Sequence, residues 1–123
     1  MKPQGLPKDE RIRKGDDFTR ILRGGRRSRV RLLDARWCIR EGAEEPANRV
    51  GIAAGRRLGN AVLRNRLKRR IREAYRRNKG ELPCRGIEIV FLATPRLVGR
   101  PAPEVDEEMR ALLREIAAAT TPR

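Results

Sequence analysis

Apolar positions recur along this chain with two different periods, and the switches between them outline its elements. Leu63, Leu67, Ile71, Ala74 and Tyr75 fall on one face at helical pitch, which predicts a helix capped by Asn60 and running to about Asn78, before Gly80. Phe18, Ile21 and Leu22 share a face of an earlier helix, opened by Asp16 or Asp17 and stopped by Gly24-Gly25. A third helix, from 104 to about 118, turns Val105, Met109, Leu112, Leu113 and Ile116 inward. Strands are expected at 32–40, where Trp37 and Ile39 alternate with Arg36, Cys38 and Arg40, and at 49–54, rich in small residues. The unbroken apolar run at 87–93 fits a strand buried within the sheet, ended by Thr94-Pro95. Residues 26–31 are poorly periodic and read as a connection, 41–48 as turn material, 55–59 as a basic loop and 1–8 as a flexible arm. The strands at 32–40 and 49–54 are expected to pair in hairpin fashion. Strands and helices mix along the whole chain, and the fold class is α/β.

Charge then assigns roles to these elements. The 123 residues make one domain, 1–123 with flexible ends at about 1–8 and 119–123, and carry 31 Lys+Arg against 16 Asp+Glu, a formal net charge of +15. Such an excess costs stability through self-repulsion, so a polyanion, and nucleic acid first of all, is the expected partner; bound anions should stabilise the fold. The excess is also ordered. Residues 56–79 hold eleven Lys/Arg and one acid, Glu73. In the helix, Asn65, Arg69, Arg72 and Arg76 lie opposite the apolar stripe, with Arg64 and Lys68 on one flank and Arg66 on the other. The last helix, with five acids and two arginines over 104–118, is packing scaffold. Asn65 stands out among the cations, because an amide both donates and accepts.

Several classes of function fall away. The start, Met1 to Pro7, has no apolar signal segment, and no run approaches membrane-spanning length, so the expectation is a cytoplasmic protein without a membrane partner. Cys38 and Cys84 are the only cysteines and histidine is absent, which leaves no disulfide framework and no zinc set; both thiols are expected to be small buried hydrophobes. Without histidine, and with acids scattered among arginines, the polypeptide alone is expected to be non-catalytic and to hold no metal.

The stretch Arg49-Val50-Gly51-Ile52-Ala53-Ala54-Gly55-Arg56-Arg57-Leu58-Gly59-Asn60-Ala61-Val62-Leu63-Arg64-Asn65-Arg66-Leu67-Lys68-Arg69-Arg70-Ile71-Arg72-Glu73 closely resembles the signature of the bacterial ribonuclease P protein subunit. The likeness continues through residues 6–18, the late Ile-Val strand with Pro95 just beyond it, and the closing helix, covering roughly 6–117. The resemblance implies a two-layer sandwich: a mostly antiparallel four-stranded sheet with three helices and a left-handed βαβ crossover, as in a ribosomal protein domain. It implies a subunit of an endoribonuclease whose catalytic RNA, using Mg²⁺, removes the 5′ leader of precursor tRNA, with no obligate protein partner. The residues matched to contact with that RNA are Arg56, Arg57, Asn60, Arg64, Asn65, Arg66, Lys68, Arg69 and Arg72. The leader cleft, between the first helix and the sheet, matches Phe18, with Leu22 and Trp37 as its further walls.

The chain also departs from the family pattern. Gly55-Arg56-Arg57 replaces the usual Ser-Lys-Lys, losing a hydroxyl and gaining planar donors suited to bidentate phosphate contact. Leu22 stands where a second aromatic is usual, and the aromatic of the next strand falls on Trp37 or, one residue earlier, on Arg36; Trp37 is preferred. Taken by pattern alone, Phe18, Leu22 and Trp37 suit a core as well as a cleft, Tyr75 suits packing, and Arg70, Arg76, Arg77 and Lys79 suit either solvent or RNA. A ribosomal or other structural RNA-binding protein is the alternative function. A helix-turn-helix DNA module is disfavoured, since strands flank the basic helix.

Overall fold

The computed structural model describes residues 10–12, 15–40 and 47–120. Three helices and four strands follow one another as α1 (Gly15–Gly24), β1 (Arg26–Arg29), β2 (Leu33–Ile39), β3 (Arg49–Ala53), α2 (Ala61–Asn78), β4 (Ile87–Ala93) and α3 (Ala102–Thr120). The sheet runs β1-β2-β4-β3, with β1–β2 and β2–β4 antiparallel and β3–β4 parallel. It is a mixed sheet in which two of the three pairings are antiparallel. Helix α2 makes the crossover between the parallel neighbours β3 and β4.

Alternation along the strands separates two apolar clusters. Leu33, Ala35 and Trp37 of β2 and Ile87, Ile89 and Phe91 of β4 join Leu67, Ile71, Ala74 and Tyr75 of α2 and the inward stripe of α3 in the main core. Burying each large side chain of this set contributes about 1.5–3 kcal/mol. The Tyr75 and Phe91 rings meet in a tilted pair with centroids 5.7 Å apart. On the opposite face Ile21 of α1 closes over Val90, joined by Ile12, Phe18 and Leu22. Thus α2 and α3 cover one face and α1 the other.

Two expectations about the sheet are corrected. Residues 26–29 are a strand: Ser28 is its one buried residue, and hydrogen bonds to β2 order a segment whose arginines carry no apolar period. The hairpin expected between the strands at 32–40 and 49–54 does not form, because β4 lies between them. Residues Ile87–Phe91 are buried without a break, and only an interior strand offers cover on both faces and both edges. Asn48 guides β4 into place: its Oδ1 accepts from the Arg85 and Ile87 N–H groups (3.2 and 2.9 Å), and its Nδ2 donates to the Pro83 carbonyl (2.9 Å).

Helix boundaries follow the expected caps closely. Asp16 and Asp17 lie in the first turn of α1, which begins at Gly15, and Gly25 N–H closes the helix on the Ile21 carbonyl. Helix α3 extends beyond 104–118 at both ends, to a buried Thr120. The arm at 1–8 and most of the turn at 41–48 lie outside the described residues. Among the described residues no helix is long and apolar enough to cross a membrane.

Candidate nucleic-acid interface

The connection from β3 to α2 is built to present cations. After Gly55 a 3-10 turn at Arg56–Leu58 exposes Arg56 and Arg57. Gly59 follows with φ 137°, and a β-carbon there would sit 2.8 Å from the Leu63 side chain. Asn60 caps α2: its Oδ1 accepts from the Leu63 N–H at 2.9 Å, leaving its amide NH₂ pointing away from that bond. Beyond the cap, Asn65, Arg66, Arg69 and Arg72 are exposed, and Arg64 and Lys68 are half-buried on the flank.

Among the described residues these cations have no acid to neutralise them. Among the described residues, the side chains of Arg56, Arg57, Arg64, Arg66, Lys68, Arg69 and Arg72 have no ion-pair or hydrogen-bond partner, and the Nε of Arg64 is buried without one. Two other cations of α2, and Lys79 just beyond its end, are engaged internally. Arg70 donates to the Arg100 carbonyl at 2.7 Å, Arg77 grips Asp106 at 2.9 Å, and Lys79 pairs with Glu10 at 3.1 Å. The bond to Asp106 raises the pKa of Arg77 above its ordinary value.

A groove of about 180 Å³ joins this helix to α1 around the edge strand β3. Its walls include Arg11, Phe18, Gly51, Ile52, Lys68 and Arg72. Gly51 makes the groove possible. A β-carbon at 51 would run into the ring of Phe18, so only glycine lets the aromatic lie against β3. The groove therefore brings one candidate for the leader cleft, Phe18, beside two candidates for the catalytic-RNA face. Leu22 packs half-buried in the same cluster as Phe18.

Trp37 lies elsewhere. Its period-two partners Leu33 and Ala35 anchor that side of β2 in the main core, leaving Trp37 1% exposed, with its Nε1–H donated to Ser28 Oγ at 2.9 Å and the Arg26 guanidinium 4.7 Å over its ring. Its assignment to the cleft is corrected: of the two positions considered, Arg36 is the one on the α1 face. The cysteines are corrected as well, since Cys84 is exposed and Cys38 only partly buried.

The α1 face also holds a buried carboxylate that the sequence pattern did not single out. Glu88, 2% exposed, takes the Arg20 guanidinium at 2.9 Å, and Arg20 reaches Asp17 at 3.2 Å. The bond to Glu88 first, then that to Asp17, raises the pKa of Arg20. Cys38 lies against this pair, and burial pushes its thiol up. An acid inside an apolar strand run is the signal that could have marked the site. Among the described residues no group of three or more His, Cys, Asp or Glu is placed to hold a metal ion.

An α/β sandwich with helices on both faces of its sheet, a basic turn and helix without counterions among the described residues, and an aromatic groove at its flank defines an RNA-binding protein. The family model for ribonuclease P matches residues 6–117, and the chain belongs to that family. The ribonuclease P protein component of Syntrophobacter fumaroxidans is 38% identical over 103 residues, 84% of each chain. That of Dictyoglomus thermophilum is 42% identical over 90 residues, 73% of this chain and 72% of its own. Among solved structures, the ribonuclease P protein of Thermotoga maritima superimposes with a TM-score of 0.74 at 32% identity, covering 86% of this chain and 96% of that one. The ribonuclease P protein of Staphylococcus aureus gives 0.74 at 28% identity, covering 87% and 94%. The chain's role is that of a protein subunit in the ribonuclease P holoenzyme.

Proposed function

We propose that the Arg56–Leu58 turn and the exposed face of α2 bind the catalytic RNA of ribonuclease P, while the groove beside Phe18 receives the single-stranded 5′ leader of precursor tRNA. The observation that carries this reading is the groove itself, where an aromatic ring stands beside Lys68 and Arg72. Single-stranded nucleic acid is held by that combination, bases against a π-face and phosphates against cations. Hydrolysis in this reading belongs to the RNA and its Mg²⁺, in the cytoplasm where tRNA matures. The polypeptide neutralises phosphate that ions would otherwise screen, so its addition should lower the Mg²⁺ needed for cleavage.

Phe18→Ala tests the reading in the reconstituted holoenzyme. Affinity for precursor tRNA should fall by about 1–3 kcal/mol while mature tRNA binds as before. Equal losses for both RNAs would make Phe18 part of the core only, and protein alone cleaving precursor tRNA at the mature 5′ end would overturn the assignment of catalysis to RNA.

A further inference from the structure

We infer that Arg27 and Arg36 form a phosphate-binding pair on the α1 face of the sheet, holding a second phosphate of the RNA strand that passes Phe18. The inference rests on the proposed leader groove and adds two residues to it. The register of β1 and β2 sets Arg27 directly opposite Arg36 and Arg29 directly opposite Asp34. All four lie on the α1 face, because Ser28 and Trp37 point the other way and are hydrogen-bonded to each other. The second pairing is complementary, with Arg29 Nε 3.1 Å from Asp34. The first sets like charges side by side, an arrangement that destabilises a sheet.

Nothing among the described residues relieves it. Neither Arg27 nor Arg36 has an ion-pair or hydrogen-bond partner there. Asp34 is taken by Arg29 and by Arg96 at 3.7 Å, and Glu88 by Arg20. Charge on an edge strand also guards against pairing with other chains, which would account for Arg27. It does not account for Arg36, which is half-buried on the interior strand β2 with Val90 opposite on β4. Two guanidinium forks projecting from one cross-strand site match a phosphate, and the occupant with phosphates to offer a chain of net charge +15 is RNA. Helix α1, which carries Phe18, packs on this same face, so one strand could engage both.

The test uses the holoenzyme reconstituted from the full chain and its RNA, with precursor tRNA bearing a leader of several nucleotides and mature tRNA as ligands, over a salt series. Arg36→Ala and Arg27→Ala should each weaken precursor binding by about 3–10-fold. Each should also flatten log K against log[salt] by about 0.7, the increment for one single-strand phosphate. Arg36→Lys should retain the slope, which separates lost charge from lost packing, and mature tRNA should bind unchanged. Precursor affinity and slope at the wild-type value in Arg36→Ala, or an equal loss for mature tRNA, would overturn the inference. Phe18→Ala run in parallel divides the failures. If it loses precursor affinity and Arg36→Ala does not, only this inference falls; if neither does, the leader groove falls with it.

Discussion

Arg66 and Arg100 are the same side chain in opposite circumstances. Around Arg100 the arginines are bound into the fold: Arg70 donates to the Arg100 carbonyl, Arg100 to that of Arg96 and Arg96 to that of Arg31. Glu104 receives Arg31 at 2.6 Å and Arg100 at 3.5 Å, and Asp34 receives Arg96. Around Arg66 no acid answers any of the cations from Arg56 to Arg72, among the described residues. Net charge alone hides this division. The fold spends its acids where arginine serves structure and withholds them from the turn and face proposed to meet RNA, so the missing counterions mark that proposed interface better than the number of arginines does.

The sharpest test of that division begins at the most buried pair. Arg20→Ala strands the Glu88 carboxylate in the α1 face, and should lower unfolding free energy by about 2–3 kcal/mol in urea denaturation, less than for a fully enclosed pair because Arg20 itself is half exposed. Once folded, the variant should keep the wild-type salt dependence of RNA binding. A changed slope would mean that Arg20 belongs with the RNA-facing set.

Arg66→Ala and Arg69→Ala should do the reverse. Each should leave the melting temperature unchanged or slightly raised, through relief of self-repulsion, and flatten the log K versus log[salt] slope for the catalytic RNA by about one unit. Asn65→Ala should weaken binding with little change in slope, since it removes a hydrogen bond and no charge. On the structural side Arg77→Ala, losing an exposed pair with Asp106, should cost at most about 1 kcal/mol of stability and leave the slope alone.

The smallest effect is an alkaline one. Burial raises the pKa of Tyr75 and of Cys38, so in both cases the folded state favours the neutral form. Their contribution is whole below the unfolded values, about 8.5 for the thiol and about 10 for the phenol, and is lost as pH climbs past them. Thermal melts of wild type and Tyr75→Phe should run parallel to about pH 9 and diverge above about 10, the variant losing less. Parallel curves throughout would show that Tyr75 ionises as freely as in the unfolded chain.

Local chemistry was legible in the sequence and pairing was not. The Asn60 cap, the α2 stripe ending at Asn78 and the apolar run at 87–93 each depend on neighbours within a few residues, and each stands where periodicity places it. Strand order depends on which strand needs cover on both faces, a demand met only by the assembled sheet, so β4's place between β2 and β3 went unread. The arginine-rich strand β1 carries no period of its own and is a strand because β2 is beside it. At the site, the cationic face followed from helical pitch, whereas the position of Trp37 depended on a one-residue phase in β2 that only its packing with Leu33 and Ala35 resolves.

The parallel pairing of β3 with β4 also sets an order of events during synthesis. The last strand to leave the ribosome is a middle strand of the sheet: until residues 87–93 emerge, β1 and β2 can form a hairpin, but β3 has no sheet strand beside it, only the bridge from Arg11 to Val50. Every contact of β4 with β2 or β3 spans a long loop of chain, which slows closure. The basic helix is therefore translated in full before the strand that seats it exists. A nascent chain stopped short of Ile87 would display α2's arginines before the sheet that seats them is complete, so charge-driven attraction to cellular RNA would precede any discrimination by the proposed groove.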